Sequence, residues 1–192
     1  MGKVAVVTSG SSGIGIKTIR ALTDAELKVF VTARDIPKVK AALNGDFGPG
    51  NFLIVTMDQS SLGSVLEAAK ANLSQENRTN ILINNAGIMG VPQRQMSDDG
   101  FELQFATNHL SHFLFFKLLK PALLAGSSSE FQSRVVSVAS DAHRDFGLNE
   151  PGNYNFENGD YHPWSAYAQS KAANIYFANE LDRRYGPRGL HA

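Results

Sequence analysis

The chain has 192 residues, 43% of them hydrophobic and 19% charged, the composition of a folded domain with room for a sizeable core. Lysine plus arginine equals aspartate plus glutamate at 18 each, which leaves no basic footprint for nucleic acid or an anionic membrane surface. Cysteine is absent, so disulfides and thiolate chemistry are excluded, and no apolar run is long enough to span a bilayer. Met1-Gly2-Lys3 leads directly into the first strand with no signal peptide, so a cytoplasmic location is expected. The sequons at Asn72 and Asn77 then read as chance.

Short β-branched runs alternate with longer helical patterns. The pattern predicts strands at Val4 to Thr8, Lys28 to Ala33, Phe52 to Met57, Ile81 to Asn84 and Arg134 to Ala139. Between them it predicts helices at Ile14 to Asp24, Ile36 to Leu43 and Leu62 to Leu73, and a long Phe- and Leu-rich one from Asp99 to Leu124. The cluster Gly45-Asp46-Phe47-Gly48-Pro49-Gly50 is a turn. Asp141 to Pro163 reads as a long polar and aromatic loop, and Trp164 to Tyr185 as a second long helix. Several strands are apolar without alternation, which suits burial on both faces. Strand and helix in alternation predict a parallel sheet with helices on both sides, in a single domain over residues 1–192.

The stretch TSGSSGIG, Thr8 to Gly15, follows the first strand and opens the first helix. A helix N-terminus offers unpaired N–H groups and partial positive charge, and glycines let the backbone approach a phosphate closely. A P-loop would need Gly-Lys-Ser/Thr, and Gly15-Ile16-Lys17-Thr18 displaces the lysine by one residue. A plain tight turn between strand and helix also fits the loop taken alone. The ends of the other strands decide between these readings. Asn84-Asn85-Ala86-Gly87 follows the fourth strand, Ser140 ends the fifth, and SAYAQSK places Tyr167 and Lys171 one helical turn apart on one face. Singly, that pair also fits a half-buried Tyr beside a solvated Lys.

Together, the glycine loop, Asp58, Asn84 to Gly87, Asn108 in TNHLSHF, Ser140 in RVVSVASDAH and Tyr167-x-x-x-Lys171 resemble the short-chain dehydrogenase/reductase family along essentially the whole chain. DGFELQFATNHLSHF, AYAQSKAAN and the long segment between Ser140 and Tyr167 are similar to its retinol-dehydrogenase-like and WW-domain-oxidoreductase-like branch, fungal members included. The resemblance implies a Rossmann-type doubly wound α/β/α fold and hydride transfer between a nicotinamide and a carbonyl or alcohol carbon of a small lipophilic substrate. It implies catalytic roles for Asn108, Ser140, Tyr167 and Lys171. Tyr167 would be the general acid or base, and Ser140 would polarise the substrate oxygen. Asn108 would hold a water linking Lys171 to solvent. A free phenol keeps its proton to about pH 10, and the charges of Lys171 and the nicotinamide would favour the phenolate. The cofactor would lie against Ser9, Gly10, Ser12, Gly13, Ile14, Gly15, Asp58, Asn85, Ala86, Gly87, Tyr167 and Lys171.

The family usually opens its loop with Thr-Gly, and here the pair is Thr8-Ser9. If that position requires a positive φ, serine costs on the order of 1–3 kcal/mol. An acid ending the second strand would bind the adenosine ribose 2′-hydroxyl and favour NAD. The chain has Ala33 followed by Arg34, whose guanidinium suits a 2′-phosphate, with Lys38 adding charge and Asp35 read as a helix N-cap. NADP(H) is therefore the expected cofactor. His109 and His112 lie three apart but lack a third ligand, so no metal site is expected. His143, His162 and Trp164 either border the substrate pocket or decorate a surface loop. The resemblance implies a homodimer or homotetramer through the two long helices, and the apolar surface of FLFFKLLKPALL and ANIYFANELDRRY serves either that association or core packing alone. Leu190-His191-Ala192 reads as the opening of a sixth strand. The family's later strands and substrate lid are then missing, and the alternative expectation is a nucleotide-binding sensor or scaffold with little turnover.

Overall fold

The computed structural model describes residues 2–11, 13–44 and 50–192. Ser12 and most of the predicted turn cluster, 45–49, lie outside them. Six parallel strands form one sheet in the order β3-β2-β1-β4-β5-β6. They are β1 (Val4–Thr8), β2 (Lys28–Ala33), β3 (Asn51–Thr56), β4 (Ile81–Asn84), β5 (Ser133–Ser137) and the two-residue β6 (Leu190–His191). Val6 lies opposite Phe30 on one side and Leu82 on the other. All five residues of β1 are buried, because helices cover both faces of the central strands. That is why these strands read as continuous apolar runs instead of alternating ones.

The helices are α1 (Gly13–Asp24), α2 (Ile36–Ala42), α3 (Leu62–Gln75), the short α4 (Leu103–Phe105), α5 (Ser111–Gly126) and α6 (Pro163–Tyr185). On one face Val6, Phe30, Leu82 and Val135 meet Val65 of α3, Phe115 and Leu119 of α5 and Phe177 of α6. On the other, Val7, Val29 and Val31 meet Ile19 of α1 and Val39 of α2. Local chemistry sets the helix starts. Asp35 accepts the Lys38 N–H at 2.9 Å and so caps α2 as expected. Pro163 opens α6 at the position where a missing N–H costs nothing.

The predicted helix from Asp99 to Leu124 is corrected in two ways. Asp99 caps a different helix, accepting the Leu62 N–H that begins α3 at 2.8 Å. Gly100 then turns the chain at φ 79°. The helical run starts only at Leu103, capped by Glu102, whose carboxylate accepts the N–H groups of Gln104 and Phe105. Between α4 and α5 the chain passes through a π-helix over Ala106–Leu110, with Asn108 at its middle. The predicted loop Asp141 to Pro163 contains a 3₁₀ turn over Asp141–Arg144. It is pinned rather than loose: Gln169 of α6 accepts the Asn149 N–H and donates to Tyr154 O, and Tyr161 donates its hydroxyl to Val91 O at 2.9 Å.

Candidate active site

The strand order reverses between β1 and β4, and ligands of open parallel sheets bind outside the carboxyl ends of the strands at such a point. A cleft of about 460 Å³ opens there. Its wall gathers predicted residues from four strand ends: Ser9 after β1, Arg34 and Lys38 after β2, Asp58 after β3, and Ala86 and Gly87 after β4. Arg34 is exposed on that wall, and the acid that would meet a ribose hydroxyl is absent, because β2 ends in Ala33. The Asp35 carboxylate works as the α2 cap. Asp58 Oδ1 is held by the Ser60 hydroxyl at 2.7 Å and the Ser60 N–H at 2.9 Å. Two buried polar atoms in residues of the same wall, Gln59 Nε2 and Thr107 Oγ1, have no hydrogen-bond partner among the described residues. Neither residue was singled out from sequence.

Behind this wall the glycine loop is clamped to β4. Asn85 donates through Nδ2 to Thr8 O at 2.9 Å and to Ser9 O at 3.0 Å. The N–H groups of Asn85 and Ala86 both donate to Thr8 Oγ1 at 2.9 Å. A Cβ on Gly15 would stand 2.0 Å from Ser9 O and 3.0 Å from Asn85 Nδ2, so only glycine fits there. Ser9 takes φ 65°, the left-handed region in which the family carries glycine. The strain expected for serine is therefore present. Gly10 and Gly15 are buried in the loop, while Gly13 and Ile14 face outward at the mouth of α1. A turn needing flexibility alone would not demand so close a backbone approach. The loop, the strand-end residues and the unpaired polar atoms fit a dinucleotide.

The second half of the site lies on α6. Lys171 is only 4% exposed, and its ammonium donates to Val138 O at 3.0 Å, just past β5. Its Nζ sits 5.6 Å from the centre of the Tyr167 ring. A Cβ on Gly87 would approach the same Nζ to 3.5 Å, which ties the α6 pair to the cleft wall. Burial pushes the Lys171 ammonium below the ordinary lysine pKa, because desolvation disfavours charge. Ser140 caps the 3₁₀ turn, its Oγ accepting the Ala142 N–H at 3.3 Å, and its carbonyl faces His143 Nδ1 at 2.7 Å. Trp164 stands edge-on to Tyr167 with ring centres 6.3 Å apart. Trp164 thus stands beside Tyr167 and His143 beside Ser140, whereas His162 packs against exposed Phe146.

Asn108 works through both ends of its side chain. Oδ1 accepts the Ile88 N–H at 2.8 Å, and Nδ2 donates to Ile88 O and to Ser170 Oγ, each at 2.9 Å. Its amide hydrogens are all committed, so the side chain braces the segment after β4 against α6. His109 donates through Nδ1 to Asn174 Oδ1 at 3.1 Å and lies among Phe105, Phe113 and Phe177. Among the described residues no three His, Cys, Asp or Glu side chains converge as metal ligands, and no helix is long and apolar enough to cross a membrane.

The family model for short chain dehydrogenases matches residues 3–192. The chain belongs to the short-chain dehydrogenase family. The chain is 46% identical over 189 residues to the short-chain dehydrogenase/reductase prx1 of Penicillium roqueforti, an alignment covering 98% of this chain and 55% of that protein. It is 35% identical to human retinol dehydrogenase 13, covering 98% of this chain and 56% of that one. These two fall where the motif resemblance pointed, among fungal members and the retinol-dehydrogenase-like branch. The chain spans about half the length of these curated relatives. Among solved structures it superposes on Pseudomonas aeruginosa RhlG, described as an NADP active-site complex, with a TM-score of 0.75 and 27% identity, covering 98% of this chain and 69% of that one.

Proposed function

We propose that the protein is an NADP(H)-dependent oxidoreductase acting on a carbonyl or alcohol carbon of a small lipophilic substrate. The observation that carries this reading is the approach of buried Lys171, which lies beside Tyr167, to Gly87 in the wall of a cleft that also presents Arg34 and Lys38. Bound there, the nicotinamide would supply or accept a hydride. The loop Ser9 to Gly15 and the N-terminus of α1 would hold the pyrophosphate. Arg34 and Lys38 would pair with a 2′-phosphate, and Asp58, Asn85, Ala86 and Gly87 would line the adenosine and ribose path. Tyr167 transfers the proton to or from the substrate oxygen, Ser140 hydrogen-bonds that oxygen, and the Lys171 charge favours the phenolate form. Trp164 presents an indole that is 49% exposed beside Tyr167, which suits an apolar substrate.

A cytoplasmic location goes with this reading, and so does assembly as a homodimer or homotetramer. Most of FLFFKLLKPALL is core, with Phe115, Phe116, Leu119 and Leu123 buried. An apolar groove of about 560 Å³ nevertheless remains between α6, the π-helix with the start of α5, and the segment 148–155, where Phe113 and Tyr176 stay exposed. A monomeric mass by light scattering at micromolar concentration would reject assembly through that groove. The catalytic reading is tested by following NADPH oxidation by the full-length protein across a panel of lipophilic ketones, aldehydes and quinones. Turnover with at least one class is expected. NADPH binding without turnover on any of them would instead make the protein a nucleotide-binding sensor.

A further inference from the structure

His112 is 1% exposed, takes no part in the chemistry above, and has both ring nitrogens in use. Nδ1 lies 3.0 Å from the Asn108 backbone O, and Nε2 lies 2.8 Å from Thr8 Oγ1. A carbonyl only accepts, so Nδ1 carries the hydrogen and Nε2 of the neutral ring is an acceptor. The Thr8 hydroxyl therefore donates to Nε2 in preference to Ile83 O at 3.5 Å. Its two lone pairs then take the N–H groups of Asn85 and Ala86. Every valence of Thr8 Oγ1 and His112 is accounted for.

The chain of bonds does not stop at His112. Asn108 clamps Ile88 and donates to Ser170 Oγ, and Ser170 donates to the backbone O of Tyr167 at 2.6 Å. Four segments meet through it: the glycine loop, the strand-end Asn85-Ala86, the π-helix and the catalytic helix. We propose that His112 is a positioning residue, the imidazole that holds the glycine-loop anchor Thr8 and the Asn108 brace of α6 in one register. The proposal rests on the catalytic reading above but adds a residue to it.

Charge on the ring would undo this arrangement. A second N–H would face Thr8 Oγ1, whose lone pairs already take two donors, and one backbone N–H of the clamp would be expelled. The surroundings hold the ring neutral. Burial lowers its pKa to about 4, and the charges of Lys171 and His109 push the same way, against the stabilising bond to Asn108 O.

The test uses the full-length protein with His112→Phe, which keeps a ring but no hydrogen bond, and His112→Gln, whose amide retains a donor and an acceptor at similar spread. His112→Phe is expected to lower kcat about tenfold or more and to weaken NADPH, while substrate KM changes little. His112→Gln is expected to recover most of both. If His112→Phe does not fold, the Gln variant and wild-type ring ¹⁵N spectra still decide. The neutral Nδ1–H tautomer should persist without titration between about pH 5.5 and 8. A ring that titrates in that window or carries its proton on Nε2 would overturn the proposal. So would a folded His112→Phe that lost stability but kept wild-type kcat and NADPH affinity. Wild-type protein that neither binds nor oxidises NADPH would instead sink the catalytic reading, whatever His112 does.

Discussion

The two halves of the site are held by different means. The glycine-loop half is built from backbone: close approaches at Gly15, a strained φ at Ser9, and N–H groups shared between the ends of β1 and β4. The α6 half is built from buried polar side chains: Asn108 donates to Ser170, Ser170 to the Tyr167 backbone O, and Lys171 to the Val138 backbone O. Backbone cradles tolerate few residue types at each position but bind any dinucleotide of the right shape. Side-chain networks set the reacting groups and fail as units when one member is lost. Binding should therefore depend mainly on the first half and turnover mainly on the second.

The largest expected effect breaks the second half alone. Tyr167→Phe removes the hydroxyl proposed to transfer the proton and should cut turnover by about 10²–10⁴-fold with the NADPH dissociation constant nearly unchanged. Steady-state rates beside a fluorescence titration show the split, and a retained rate above about a tenth would contradict the role given to Tyr167. Arg34→Ala attacks the first half. Loss of a charge-assisted pair with a 2′-phosphate should weaken NADPH by about 10- to 100-fold and leave NADH nearly as before. Equal losses for both would place Arg34 away from the 2′-phosphate.

A pH series sharpens the point at which the halves join. His112 is neutral in the fold, with a pKa of about 4 against 6.5 for an ordinary histidine. Between those values the unfolded chain binds the extra proton, so stability from the neutral ring is full above 6.5 and drains away as pH falls toward 4. Denaturant midpoints should show the gap between wild type and His112→Gln shrinking over that window, by up to about 3 kcal/mol. A gap independent of pH would mean that the ring is not held neutral by the fold. The smallest effect concerns Ser9. Ser9→Gly relieves a left-handed φ and should stabilise the protein by about 1 kcal/mol, read as a higher urea midpoint. Destabilisation would show that the hydroxyl contributes more than the backbone loses.

What was legible in the sequence follows the same division. The strand–helix alternation, the loop after β1 and the Tyr167–Lys171 spacing are local; the alternation predicted the parallel sheet, and the other two marked short stretches whose own neighbours in the chain carry the signal. The π-helix around Asn108 and the late start at Leu103 depend on distant partners. Asp99 looked like the front of its own helix because its role as the cap of α3 spans 37 residues. His112 looked like half of an incomplete metal pair because its partner Thr8 is 104 residues away. Gln59 and Thr107 gave no spacing signal, since a single polar residue after a strand or inside a helix is common. Positive φ at Ser9 could only be posed as a condition, since backbone conformation is set by the packing of the loop against β4.

The central claim is that the cleft transfers a hydride between a nicotinamide and a carbonyl carbon. It is tested most directly by supplying the full-length protein with NADPH deuterated at both C4 positions and a lipophilic ketone that it turns over, then locating the label in the product. The account predicts one deuterium on the carbinol carbon, with incorporation lost in Tyr167→Phe although NADPH still binds. Product alcohol without deuterium, or deuterium transfer undiminished in Tyr167→Phe, would contradict it.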